Sequence, residues 1–101
     1  MDIKDFLRSD SLLADRMRLV IMTTLAAAEE PIGFMQLLGS LELTRGNLAS
    51  HLRKLEDAGY VEVDKKFVDR KPHTAYACTD NGRKAVQQYL DDLEAFLKQQ
   101  R

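Results

Sequence analysis

Residues 43–61 read Leu43-Thr44-Arg45-Gly46-Asn47-Leu48-Ala49-Ser50-His51-Leu52-Arg53-Lys54-Leu55-Glu56-Asp57-Ala58-Gly59-Tyr60-Val61, and the spacing inside this stretch predicts a helix with two unlike edges. Thr44 suits the N-cap, because its hydroxyl can accept from an amide of the first turn, and Gly59 suits the left-handed position past a helix end. At about 100° per residue, Leu48, Leu52 and Leu55 fall in one narrow arc. Asn47, Ser50, His51 and Lys54 fall in another. The leucine edge is expected to anchor the helix to a core, which forces the polar edge outward.

Upstream, Phe34, Leu37, Leu38 and Leu41 predict a short helix over about Gly33–Leu41, joined to the first by Glu42-Leu43. A longer helix is expected from about Asp15 to Ala28, capped by Asp15 or Ser11. Its stripe is Leu19, Met22, Leu25 and Ala26, widened by Val20 and Ile21, with Arg16 and Arg18 off it. Met1–Arg8 reads as a short amphipathic turn using Ile3, Phe6 and Leu7, and Pro31-Ile32-Gly33 as a minimal extended piece.

Downstream, Tyr60–Val68 begins with the apolar–polar alternation of a half-exposed strand. Asp69-Arg70-Lys71-Pro72-His73 reads as a charged turn and Thr74–Cys78 as a second strand. Thr79 caps a last helix over about Asp80–Lys98, where Val86, Tyr89, Leu90, Leu93, Phe96 and Leu97 approach a heptad seam. The expected fold is mainly α with a small β-hairpin: a winged helix-turn-helix with a three-helix core, a wing and a C-terminal dimerisation helix. Residues 1–101 form a single domain, with 15–78 as core and wing and 79–98 as the dimerisation helix.

The chain has 101 residues, 45% hydrophobic and 31% charged. That length fits one domain, and the apolar share argues against disorder. No apolar stretch is long enough to span a bilayer, and the early acids of Met1-Asp2-Ile3-Lys4-Asp5 do not read as a signal peptide. One cysteine, Cys78, excludes an intramolecular disulfide and reads as a buried, inert thiol in a reducing, cytoplasmic setting. No phosphate-cradling loop, nucleophile elbow or metalloenzyme motif occurs, so neither an enzyme nor a metal or cofactor is expected.

Fifteen basic residues against sixteen acidic ones leave a formal net charge of −1. A nucleic-acid reading therefore rests on where the bases sit. From Thr44 to Ala75, Arg45, Arg53, Lys54, Lys65, Lys66, Arg70 and Lys71 stand against Glu56, Asp57, Glu62, Asp64 and Asp69, a net of +2. Asp91, Asp92 and Glu94 lie at the far end. A helix of this diameter fits the major groove, and a hairpin beside it reaches the minor groove or the backbone. The expected DNA contacts are Thr44, Arg45, Gly46, Asn47, Ser50, His51, Lys54, Lys65, Lys66, Arg70 and Lys71. Asn47, Ser50 and His51 would read bases, while Arg45, Lys54, Lys65 and Arg70 would hold backbone or groove. Gly46, a poor helix former, fits close approach to a phosphate or merely a tolerant first turn.

Three stretches together carry a family resemblance: Leu43–Val61, Arg70-Lys71-Pro72-His73-Thr74-Ala75-Tyr76, and Thr79-Asp80-Asn81-Gly82-Arg83. They resemble the small archaeal and bacterial winged-helix transcriptional regulators near the MarR and ArsR families, over roughly Asp15–Leu97. The resemblance implies a homodimeric regulator that binds double-stranded DNA and dimerises through terminal helices. Phe6, Leu7, Val86, Tyr89, Leu90, Leu93, Phe96 and Leu97 are the corresponding seam here. In MarR-like proteins a wing Asp orients an Arg, a pattern Asp69-Arg70 matches loosely. This chain lacks the longer end helices that enclose an effector cleft in MarR-type proteins, and nothing in it identifies an effector. The paired ligands of ArsR-type metal sensing are also missing, since only Cys78, His51 and His73 are available.

Two function classes follow. The first is a sequence-specific DNA-binding transcriptional regulator, a repressor by the simplest mechanism of blocking polymerase, on a pseudo-palindromic operator. The second is a winged-helix protein-interaction module of a larger assembly. The short polar side chains Asn47 and Ser50 and the basic tip at Arg70-Lys71 favour DNA, because a merely solvated helix face favours Glu and Lys.

Overall fold

The computed structural model describes residues 1–100. Its elements run α1 (Ile3–Leu7), α2 (Arg16–Ala27), β1 (Ile32–Gly33), α3 (Phe34–Ser40), α4 (Arg45–Asp57), β2 (Val61–Val68), β3 (Lys71–Cys78) and α5 (Asp80–Gln99). Asp15, rather than Ser11, caps α2: its carboxylate accepts from the amides of Met17 and Arg18 at 2.9 and 3.0 Å. Ile21, Met22 and Leu25 are buried. Val20 does not widen this stripe. It lies about 100° round the helix from Ile21 and faces solvent.

Helix α4 is built as its caps dictate. The Thr44 hydroxyl accepts from the Asn47 amide at 3.1 Å. At the other end Gly59 takes φ 78°, so its amide reaches Glu56 O and that of Tyr60 reaches Leu55 O. This Schellman closure uses carbonyls that the helix end would otherwise leave unpaired. Leu48, Leu52 and Leu55 are essentially inaccessible to water and pack in one core with Leu13, Ile21, Met22, Leu25, Leu37 and Val61. Full burial of one such side chain contributes about 1.5–3 kcal/mol, so this edge holds α4 firmly.

The expected hairpin is a three-stranded antiparallel sheet in the order β1-β3-β2, because Ile32 and Gly33 pair with Tyr76 and Ala75. Strand β3 begins at Lys71 rather than Thr74. Pairing runs unbroken from Val61↔Cys78 to Val68↔Lys71, so the turn is only Asp69-Arg70. Both residues have positive φ, 52° and 67°. Two left-handed residues match the right-handed twist of the flanking strands, which makes this the tightest closure for the wing.

Thr79 caps α5, accepting from the Gly82 amide at 3.0 Å while donating to Gly59 O at 2.6 Å. The first half of α5 belongs to the core. Val86, expected on the dimer seam, is buried there because it packs against its own chain. The second half projects, in a molecule measuring 56 × 26 × 20 Å. Helix α1 lies on it, with the Phe6 ring stacked on Phe96 at 4.9 Å and tilted against Tyr89 at 6.2 Å. Among the described residues no helix is long and apolar enough to cross a membrane. Cys78 is buried, which pushes its thiol pKa up, and it donates to Thr79 O.

Candidate nucleic-acid interface

With the leucine edge sealed, the rest of α4 divides into three strips. Gly46, Asn47, Ser50 and Lys54 face outward and are exposed. A Cβ built on Gly46 would meet nothing within 4 Å, so internal packing does not require glycine there. Thr44 is exposed too, with its hydroxyl engaged in the cap.

The second strip faces the sheet. Ala49, Arg53 and Glu56 line a cleft of about 270 Å³ with Val63, Lys65 and Tyr76. Arg45, about 180° round from Lys54, starts on this side. Burial, helped by the Glu56 charge, pushes the Tyr76 phenol up.

The third strip faces α2. His51 lies only about 40° from Leu55 on the helical wheel and is therefore half-buried. Its Nδ1 sits 3.2 Å from Nη1 of Arg18. Arg18, set aside on sequence as lying off its helix stripe, is thus tied to the candidate surface. Its Nε donates to Leu12 O at 2.7 Å, and Nη1 lies 3.9 Å from the Asp15 carboxylate. The amide of Arg18, then its guanidinium charge, hold the Asp15 carboxyl below its usual pKa.

The wing divides its two adjacent lysines. Side chains alternate along a strand, and Val61 points to the core, so Val63, Lys65 and Phe67 share that face. Lys65 therefore reaches the α4 side. Lys66 takes the opposite face, where it pairs with Asp64 at 3.3 Å. Arg70 is in the turn itself, and Lys71 opens β3 opposite Val68. Phe67, which the sequence reading did not single out, is 77% exposed although it shares the face of core-facing Val61. The wing simply extends beyond the helices that would have covered it. Asn47, Ser50, Lys54 and Gly46 thus form one contiguous outer surface. Arg45 and Lys65 border it on the sheet side, His51 borders it on the α2 side, and Lys66 stands apart.

Residues 17–97 match the sequence pattern described as winged helix DNA-binding domain, about four-fifths of the chain. A transcriptional regulator homologue from Pyrococcus horikoshii superposes with a TM-score of 0.81 at 36% identity, over 92% of this chain and 90% of that one. MarR superposes with a TM-score of 0.70 at 20% identity, over 83% of this chain and 60% of that one, a likeness of fold. An uncharacterized protein of Methanocaldococcus jannaschii is 38% identical over 60 residues, which cover 59% of this chain and 65% of that relative's length. The capped helix on its leucine edge, the wing beside it and these likenesses agree: the chain belongs to the winged helix DNA-binding domain family.

Proposed function

We propose that this protein is a sequence-specific transcriptional regulator that docks as a homodimer on a pseudo-palindromic operator and represses by occlusion. The observation that carries the reading is the exposure of Asn47 and Ser50 on a helix whose opposite edge is fully buried. On this reading these short polar groups would meet base edges, and Lys54 and Lys65 the phosphates on either side. The wing adds support. A turn of this type strongly favours glycine at its second residue, yet Arg70 occupies it at φ 67°. A non-glycine residue in that region costs roughly 1–2 kcal/mol, a cost that a guanidinium directed at DNA explains.

Dimerisation would use the overhanging half of α5. Leu90 and Leu97 are 43% and 52% exposed, and Ile3 and Leu7 of α1 are more exposed still. Leu93 and Phe96 lie half-buried between them, with Phe6 already covering part of Phe96. Two copies joined there would present two α4 helices to successive major grooves, about 10 base pairs apart.

The test is duplex selection from a random pool, followed by titration of the winner at several salt concentrations. The reading expects a recovered palindrome and a logarithm of affinity that falls linearly with the logarithm of salt. Absence of binding, or affinity indifferent to salt, would instead favour the protein-interaction module. Lys54→Ala and Arg70→Ala should each reduce the salt slope by about one.

A further inference from the structure

We infer that Arg18 fixes the tautomer of His51, so that the ring offers DNA a hydrogen-bond donor and never an acceptor. This inference rests on the DNA-binding reading above and specifies what one position of that surface recognises.

A guanidinium carries only donors. At 3.2 Å from Arg18 Nη1, the His51 Nδ1 must therefore supply the lone pair. A neutral imidazole has one donor and one acceptor nitrogen, so the proton resides on Nε2. Arg18 is itself held from two sides, by Leu12 O at 2.7 Å and by the Asp15 carboxylate at 3.9 Å. Asp15 is held in turn by capping α2. The guanidinium side chain is only 13% exposed, so water competes little for its geometry.

The His51 Nε2 makes no bond to the described residues, and none of their buried side-chain nitrogens or oxygens lacks a partner. Nε2 therefore reaches solvent, on the border of the strip that holds Asn47 and Lys54. An outward N–H selects for lone pairs. Guanine N7 and O6, adenine N7, thymine O4 and phosphate oxygens provide them in the major groove. Cytosine presents an amino donor there and is rejected. Arg18 is thus a positioning residue, acting on DNA through His51.

Two measurements on the full chain test this. The first correlates the ring protons and nitrogens of ¹⁵N-labelled protein by NMR, without DNA, at a pH where imidazole is neutral. His51 should show a protonated Nε2 and a bare Nδ1, while exposed His73 shows averaged tautomers as the internal control. Arg18→Met should move His51 toward the His73 pattern. A protonated Nδ1 in the wild type, or a pattern unmoved by Arg18→Met, overturns the assignment whether or not DNA binds.

The second compares His51→Gln, which keeps an N–H near the Nε2 position, with His51→Asn, which keeps one near Nδ1. On the selected duplex, His51→Gln should bind within about twofold of wild type, and His51→Asn about five- to tenfold more weakly, the worth of one hydrogen bond. Weakening confined to one base pair identifies a base edge, and uniform weakening a phosphate, both as acceptors. Equal loss in the two variants, or a preference for cytosine at the contacted base, overturns the donor role.

Discussion

The hydroxyl of Tyr60 donates a 2.5 Å hydrogen bond to Oδ2 of Asp10, fifty residues earlier in the chain. It ties the segment before α2 to the junction between α4 and β2. The other carboxylate oxygen of Asp10 accepts from the amides of Leu12 and Leu13, so one side chain organises the whole approach to α2. The bond to Asp10, with burial and the carboxylate charge, pushes the Tyr60 phenol up to about 12. The unfolded phenol releases its proton near 10.0. Its contribution to stability is therefore intact below that pH and is lost as pH rises from there through about 12. Tyr60→Phe should cost about 1 kcal/mol at neutral pH and flatten the alkaline limb of stability against pH, followed by denaturant melts.

Acid should act through Asp15. Its carboxyl titrates below the usual value of 3.8, chiefly because the Arg18 amide bonds the charged form. Stability from this group is present above that value and declines as pH falls through and below it. Asp15→Ala removes the α2 cap and should cost about 1 kcal/mol at neutral pH, with a shallower acid limb in urea titrations.

Gly82 should tolerate no side chain. A Cβ there would lie 2.3 Å from Tyr60 O, 2.9 Å from Met22 Cε and 3.0 Å from Cys78 Sγ. Alanine would gain roughly 1 kcal/mol of helix propensity, but the carbonyl cannot yield without opening the α5–β2 junction. Gly82→Ala should lose about 1–3 kcal/mol or more, read as a lowered midpoint in thermal or denaturant unfolding.

Two substitutions should separate stability from DNA binding in opposite directions. Gly46→Ala meets open space, and Arg70→Gly relaxes a left-handed residue. Each should stabilise the fold by about 0.5–1 kcal/mol. Each should also weaken duplex binding, Gly46→Ala by holding the α4 backbone off a phosphate and Arg70→Gly by removing a wing contact. Paired unfolding and binding curves would check this, and unchanged affinity in either variant would remove that residue from the interface.

Leu97 is exposed, so Leu97→Asp should leave the monomer's stability nearly unchanged while abolishing the proposed dimer. Sedimentation or light scattering over a dilution series reads the mass directly. An unaltered mass distribution would take α5 out of the assembly surface.

The elements were legible wherever local chemistry specifies them. Thr44, Gly59, Asp15 and Thr79 mark helix ends because a cap is a contact between near neighbours. The leucine spacing of α4 announced its buried edge for a similar reason, since a helix repeats about every 3.6 residues. The outward positions Asn47, Ser50 and Lys54 followed from that edge alone. The β1 strand was harder to read, because two residues carry no period and form a strand only by pairing with Tyr76 and Ala75. The short turn at Asp69-Arg70 was obscured because Lys71-Pro72-His73 resembles loop chemistry while still pairing in register.

From the amino-acid order came the helices, their caps, the hydrophilic strip and the basic wing. Folding in three dimensions then distributed the charges. It brought Arg18 against His51, sent Lys65 and Lys66 to opposite faces, drew Val86 inward and left Phe67 in water. Periodicity is a property of one segment, whereas burial and hydrogen-bond partnership depend on which other segment arrives. Only the packed chain supplies that.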